Sequence, residues 1–469
     1  MTTTLLPFDP PAETARPAEQ TAGLTVVLPR PVSPDRAADS RTDSAGSSGS
    51  AGSAGEAPPS GGGRRALWTF ADQALSSLTN AVLSVVVALL VSSSDFGAFS
   101  LALLTFSFVV GLTRAVVAEP FMVRFSAVDP RTRSGGAGRA TGAALSVGLV
   151  AGAICLAVAA LLDGSARTAY LALALSLPGL CVQDVWRHTF FAAGRPAAAA
   201  LNDAVWTVLQ FAALGWLIVV GTESVFAITL AWGASATAAA VLGVTQSGVR
   251  PRLGATWHWL RETRDLNVHL GLGFVLNQGA IQVATYAVAA IVGLAGSGAL
   301  RGAQVLLGPL NLVFAGFGAF VLPLLARRVA AGQPLLKIAV PCSVVLGLGT
   351  SLWVGILVLL PDSLGEKVLG DSWAGASEVM LPSGLVLVAL ALCLGASNSL
   401  VALSRADLML RITLVQAPLM LGLGLLGAFG WGAAGAAYGF AAAQATGLVI
   451  AWLFFLRADG RTAPAAALG

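Results

Sequence analysis

Val87-Ala88-Leu89-Leu90-Val91, then Gly97 and Pro120-Phe121-Met122-Val123-Arg124, come back about 200 residues later as Val288-Ala289-Ala290-Ile291-Val292, Gly298 and Pro323-Leu324-Leu325-Ala326-Arg327. The gap from glycine to proline is 23 residues in the first copy and 25 in the second, enough for one membrane crossing by a helix rising 1.5 Å per residue. The stretch 71–124 therefore reads as two apolar helices joined by a tight turn. The chain reads as two related halves, each opening with this hairpin.

Composition agrees. With 469 residues, 56% hydrophobic and 11% charged, and a mean hydropathy of +0.79, the chain is far more apolar than a soluble globule, which carries about 25% charged residues. It reads as an integral membrane protein. The formal charge of +4 and pI of 9.2 do not point to nucleic acid, because the basic residues sit in short loops between apolar runs and not in a stripe with aromatics. Cys155, Cys181, Cys342 and Cys393 all lie in or beside apolar segments, without metal-ligand spacing, and read as buried thiols. Only two of the 27 basic residues are lysines, and with the abundant Ala and Gly this hints at a high-GC bacterial genome.

Twelve apolar segments follow a Ser-, Gly- and Pro-rich tail: about 67–92, 97–118, 141–162, 168–187, 199–220, 225–247, 268–292, 299–325, 338–360, 377–401, 411–429 and 433–456. Each is near the ~20 residues that span a bilayer, and a helix is the form that satisfies its own backbone in lipid. Arg124, Arg131, Arg133, Arg139, Arg187, Arg195, Arg250, Arg252, Arg261, Arg264, Arg327, Arg328, Lys337, Arg405, Arg411, Arg457 and Arg461 fall on the side of Arg64 and Arg65, whereas the other side holds Arg167, Arg301 and Lys367. The positive-inside rule then puts both termini in the cytoplasm.

The expected organisation is a disordered cytoplasmic tail (1–65), a six-helix lobe (66–249), a cytoplasmic amphipathic linker (250–267), a second six-helix lobe (268–457) and a short cytoplasmic tail (458–469). Six crossings return the chain to its starting side, so the halves are parallel repeats, an arrangement that places a substrate cavity between lobes. The linker carries Trp257, Trp259 and Leu260 beside Arg261 and Arg264 and is expected to lie along the inner leaflet with its rings at the headgroup level.

An ionisable group inside a membrane helix costs roughly 2.5–3.5 kcal/mol on insertion scales, so each needs a partner, a wet cavity or a function. Asp72, Gln73, Ser76, Ser77 and Asn80 form a polar stripe on the first helix, with Asn277, Gln278 and Gln282 as the uncharged counterpart in the second half. Arg114 and Glu119 lie near the cytoplasmic end of the second helix, with Arg124 beyond. Arg114 is the leading candidate for a phosphate or pyrophosphate ligand, since a guanidinium donates paired hydrogen bonds and stays charged; the alternative is an ion pair with Asp72 or Glu119 that locks helix one to helix two. Asp184, Arg187 and His188 cluster on the fourth segment at a spacing that allows mutual pairing, and Asn202 and Asp203 open the fifth. Arg301, on the external side, faces an outward-open cavity or snorkels to headgroups. The candidate binding or gating set is Asp72, Gln73, Asn80, Arg114, Glu119, Arg124, Asp203 and Arg301.

No ATP-binding loop, zinc motif or sizeable soluble domain is legible, and the chain has three histidines; transport, not enzymology, is the expected class, with no cofactor and no metal site. The run Phe70-Ala71-Asp72-Gln73-Ala74-Leu75-Ser76-Ser77-Leu78-Thr79-Asn80, then Asp95-Phe96-Gly97-Ala98-Phe99, then 114–124 with Glu119-Pro120, resembles the start of bacterial polysaccharide flippases of the multidrug/oligosaccharidyl-lipid/polysaccharide exporter superfamily. The resemblance is detailed over 66–125 and topological over 66–457. It implies two six-helix bundles around a V-shaped cavity in the bacterial plasma membrane. It also implies alternating-access transfer of an undecaprenyl-diphosphate-linked glycan from the inner to the outer leaflet for surface polysaccharide biosynthesis, with a polysaccharide polymerase or ligase as partner. The alternatives are a cation-coupled drug or metabolite exporter using Asp72 or Asp203, a lipid II flippase, and a membrane scaffold subunit of a polysaccharide assembly complex acting through its tail.

Overall fold

A computed structural model describes residues 79–462 as an all-helical polytopic membrane protein. The described part of the first helix, α1, is Thr79–Leu90; α2 is Ser93–Phe125, α3 Pro130–Ala160, α4 Gly164–Ala192, α5 Pro196–Val220 and α6 Val225–Ser247. A short α7, Thr256–Glu262, leads into α8, Arg264–Leu307. After it come α9 Pro309–Ala330, α10 Leu336–Val358, α11 Asp362–Leu369, α12 Trp373–Ala402 and α13 Ala406–Thr462.

Two of these helices are broken within the apolar sequence. α8 turns at Gly293, whose φ of 73° is open to glycine at no steric cost, and α13 turns at Trp431 and Gly432, the glycine at φ 61°. With α8 and α13 divided there, and 294–330 taken as one crossing that runs through Pro309, each apolar segment has its helix among the described residues, the first of them from Thr79 on. α11, between α10 and α12, is an extra amphipathic helix that the apolar pattern passes over; its N-terminal Asp362 accepts a bond from Trp373 Nε1 at 2.9 Å.

Small residues bring the helices together, as they do where lipid gives no hydrophobic drive for association. Gly148 and Gly152 of α3 sit against the backbone of Leu177-Pro178 and Ala174 on α4, and Gly233 of α6 sits against Ser176. One contact is reciprocal between the two halves. A Cβ on Gly97 would stand 1.8 Å from the Leu294 carbonyl oxygen, and one on Gly298 would stand 2.5 Å from that of Ser93. Leu294 is to Ser93 as Gly298 is to Gly97 in the sequence repeat, so the contact maps onto itself when the halves are exchanged, the signature of a two-fold interface.

From that point α2 and α8 run side by side. Gln282 Nε2 donates to the Leu104 carbonyl at 3.1 Å, Thr105 Oγ1 meets Tyr286 OH at 2.5 Å and Tyr170 OH at 2.8 Å, and the Phe108 and Phe274 rings lie 5.5 Å apart. Farther on, Gly111 takes the edge of Phe274 and Gly271 takes Val116. These contacts run along α2 from Gly97 to Val116.

The far end of α2 shows a local rule at work. Pro120 has no N–H, so the carbonyl of Val116, four residues earlier, loses its helical donor. Residues Arg114–Ala118 widen into a π turn in which the Glu119 N–H reaches the Arg114 carbonyl. Trp259 Nε1, from α7, comes to 3.5 Å of the Val116 oxygen and takes the vacated place.

This corrects the expected linker. Trp259 is 0% exposed, packed on Phe121 and Phe125, whereas Trp257, under the Arg261 guanidinium, is 64% exposed. The segment is bolted down by bonds to carbonyl and carboxylate groups of the neighbouring helices. Arg252 N–H donates to the Gly138 carbonyl at 2.8 Å, Arg139 pairs with Glu262 at 3.1 Å, and Arg124 holds both Asp265 and the Glu262 carbonyl.

Candidate functional site

A cavity of about 840 Å³ lies between the halves, walled by α1, α2, α8, α9, α12 and α13. That size is within the ~300–1,000 Å³ common for ligand sites. Its apolar wall includes Leu103, Leu104, Phe106, Val288, Met420 and Phe440; its polar groups are Asn80, Ser100, Ser107, Thr285, Ser297, Gln304, Asn311, Ser383 and one charged residue, Arg301. Among the described residues no carboxylate lines it.

Arg301 sits on the segment after Gly293, one turn past Gly298, near the end of the cavity closed by the reciprocal glycines. Its Nη2 donates to Ser84 Oγ on α1 at 2.9 Å, and Ser84 Oγ in turn donates to the Asn80 carbonyl at 2.9 Å. The Arg301 Nε is buried and has no partner among the described residues. A guanidinium carries five donors in a planar fork, so this one retains unspent hydrogen-bonding capacity toward an anion.

Arg114 is elsewhere. It lies at the opposite end of α2 and its Nε donates to both carboxylate oxygens of Asp184 on α4, at 2.9 and 3.0 Å. Of the two partners expected for it, Glu119 is exposed, and Asp72, with Gln73, Ser76 and Ser77, lies outside the described residues. The Asp184 side chain is 8% exposed and that of Arg114 43%. His188 Nδ1 contacts the Asp184 carbonyl at 2.9 Å.

Arg187 reaches Asp203, 3.5 Å away. Asp203 also accepts from Gln183 Nε2 at 2.7 Å, and Asn202 donates to the Ala239 carbonyl and to Gln246 Oε1 at 2.8 and 2.9 Å. Asp203 is thus a member of a buried polar network inside the first half, satisfied by neighbours as buried polar groups must be. Arg124 is the linker clamp described above. Of the eight candidates, Asn80 and Arg301 line the cavity; Arg114, Glu119, Arg124 and Asp203 stand outside its lining.

Sequence reading missed Ser84 and Asp184 as partners. Ser84 was within reach: it continues the four-residue row through Ser76 and Asn80 by one turn.

No family model matches the sequence, and no curated protein matches it. Solved structures do share its fold. A multidrug resistance MATE family transporter of the MOP superfamily, in its inward-facing conformation, gives a TM-score of 0.64 at 13% identity, covering 83% of this chain and 96% of that one. The chain shares the fold of that structure. The lipid II flippase MurJ, inward closed, gives 0.60 at 12% identity over 85% and 90% of the two chains. A MOP superfamily transporter from Pyrococcus furiosus, whose binding pocket is described as of reverse polarity, gives 0.50 at 11% identity over 86% and 96%.

Proposed function

We infer that the protein is an alternating-access transporter of the MOP superfamily that moves an undecaprenyl-diphosphate-linked oligosaccharide from the inner to the outer leaflet for surface polysaccharide biosynthesis. The observation that carries this reading is the character of the cavity lining: one arginine, surrounded by amides and hydroxyls, with no carboxylate among the described residues. A diphosphate head takes paired, charge-assisted bonds from a guanidinium. Sugar hydroxyls find complementary groups in Asn80, Gln304 and Asn311. A cationic drug would meet a like charge in a low-dielectric space, which argues against the exporter alternative.

The shared fold with MATE transporters supports transport, and that with a lipid II flippase supports a lipid-linked substrate. The resemblance supports a bacterial plasma membrane protein, and the Arg and Lys asymmetry supports an orientation with the Arg114 end of α2 in the cytoplasm and Arg301 toward the outside. In this reading Arg301 holds the head. Arg114, paired with Asp184, stays at the cytoplasmic approach, and the two six-helix lobes (66–249 and 268–457) rock about the seam.

The test is a deletion strain. It is expected to lose surface glycan and accumulate the lipid-linked oligosaccharide on the cytoplasmic side, with drug resistance unchanged. Intact glycan together with raised drug sensitivity would transfer the assignment to the exporter alternative. A lipid II substrate has the same diphosphate chemistry, and rescue of cells depleted of their own lipid II flippase would identify it.

A further inference from the structure

We propose that Ser84 is the outer latch of the cavity, and that the anionic head of the substrate releases it by taking Arg301 away. The proposal rests on the substrate reading above and adds the step that couples binding to opening.

Ser84 is fully buried. Its one proton goes to the Asn80 carbonyl, which leaves its oxygen free to accept from Arg301 Nη2. That bond joins α1 of the first half to α8 of the second, beside the reciprocal Gly97 and Gly298 contacts and the approach of Gly370 to the Ala88 carbonyl. Those neighbours are backbone packing, indifferent to a ligand. The bond from Arg301 is the element of this closure that a ligand in the cavity can compete for, since Arg301 is both a latch partner and a lining residue.

The choice of partner matters. A neutral hydroxyl gives a guanidinium one bond, whereas a diphosphate offers several charged oxygens and engages two N–H groups at once. The Arg301 Nε, buried and unused by any described residue, is the donor such a ligand would gain. The closed state therefore holds Arg301 by a partner weaker than the substrate. A ligand that binds only the state in which Arg301 has left Ser84 shifts the population toward opening by that difference in affinity. An aspartate at position 84 would invert the order and hold the latch against the ligand.

The test uses the full chain in proteoliposomes, with Cys155, Cys181, Cys342 and Cys393 replaced and Gln304→Cys as a cavity reporter. A membrane-impermeant maleimide is added from the side of α11, with farnesyl diphosphate as the anionic probe and farnesol as the uncharged control. Ser84→Ala is expected to raise unliganded labelling about tenfold, in line with the loss of one hydrogen bond to a charged group. Ser84→Asp is expected to bring it below the parent. Farnesyl diphosphate, and not farnesol, is expected to raise labelling of the parent and to leave Ser84→Asp unchanged.

Parental labelling rates in both Ser84 variants would overturn the latch. Raised labelling in Ser84→Ala with no response of the parent to farnesyl diphosphate would keep the latch but overturn its release by the anion, and with it the diphosphate reading.

Discussion

Gly97 and Gly298 occupy equivalent places in the sequence repeat and lie against each other's hairpins, Gly97 on Leu294 and Gly298 on Ser93. Helix backbones approach this closely only where a side chain is missing, and the pairing is the same from either half. A repeat found as a string of letters thus becomes a close backbone contact between the two halves.

Gly97→Ala already places a carbon inside the Leu294 carbonyl, and backbone cannot yield as a flexible side chain does. It is expected to cost about 1–3 kcal/mol, as is Gly298→Ala. The double variant should cost less than the sum, because either substitution opens the same contact. Thermal denaturation of the purified protein, followed by size-exclusion chromatography, measures all three.

The Arg114 pair predicts asymmetry. Arg114→Ala strands Asp184, whose side chain is nearly buried, and should destabilise the protein by on the order of 3 kcal/mol, the low end for breaking a buried pair because Arg114 itself is half exposed. Arg114→Met with Asp184→Leu removes both charges and should recover most of that stability. Equal stability of Arg114→Ala and the parent, by the same assay, would contradict the pairing.

Trp259→Phe keeps the ring against the Phe121 and Phe125 pair but loses the N–H to the Val116 carbonyl. At 3.5 Å the bond is long, so the cost should stay near or below ~1 kcal/mol. Trp259→Ala empties a buried site at about 3–5 kcal/mol and should expose the Arg250–Arg264 region to trypsin. Limited proteolysis of the two variants separates ring from N–H.

Asp129 caps α3 by accepting from the N–H groups of Arg131 and Thr132. The side-chain bond from Thr132 is the largest of the interactions that hold its carboxyl below the usual carboxylate range. A lowered native value means the cap contributes fully above the unfolded pKa, near 4, and is lost as pH falls through the native one. Asp129→Ala should therefore remove part of the stability lost between about pH 5 and pH 2, read by melting curves across that range.

The apolar helices were legible because a crossing must be about 20 apolar residues long, a constraint written in one window of sequence. Even the turn at Gly293 shows, as a break between Val292 and the next run. The partner of Arg114 was not legible: Glu119 is close in sequence, but Asp184 is closer in space, and only packing of α2 on α4 brings it there. Trp259 misled because an indole beside arginines reads as interfacial, whereas Pro120 had left a carbonyl in want of a donor. The signal for it in the sequence is a proline four residues past Val116.

Arg301 is the residue on which the account turns. Its replacement is measured most directly as transfer of an undecaprenyl-diphosphate-linked oligosaccharide across proteoliposomes reconstituted with equal amounts of folded protein. Arg301→Ala is expected to lose at least about tenfold in rate, the smallest loss consistent with a charge-assisted bond of ~1.5–3 kcal/mol, and Arg301→Lys to recover only part, since a point charge cannot reproduce the fork. Transfer by Arg301→Ala at the parental rate would contradict the claim that this cation holds the head of the substrate.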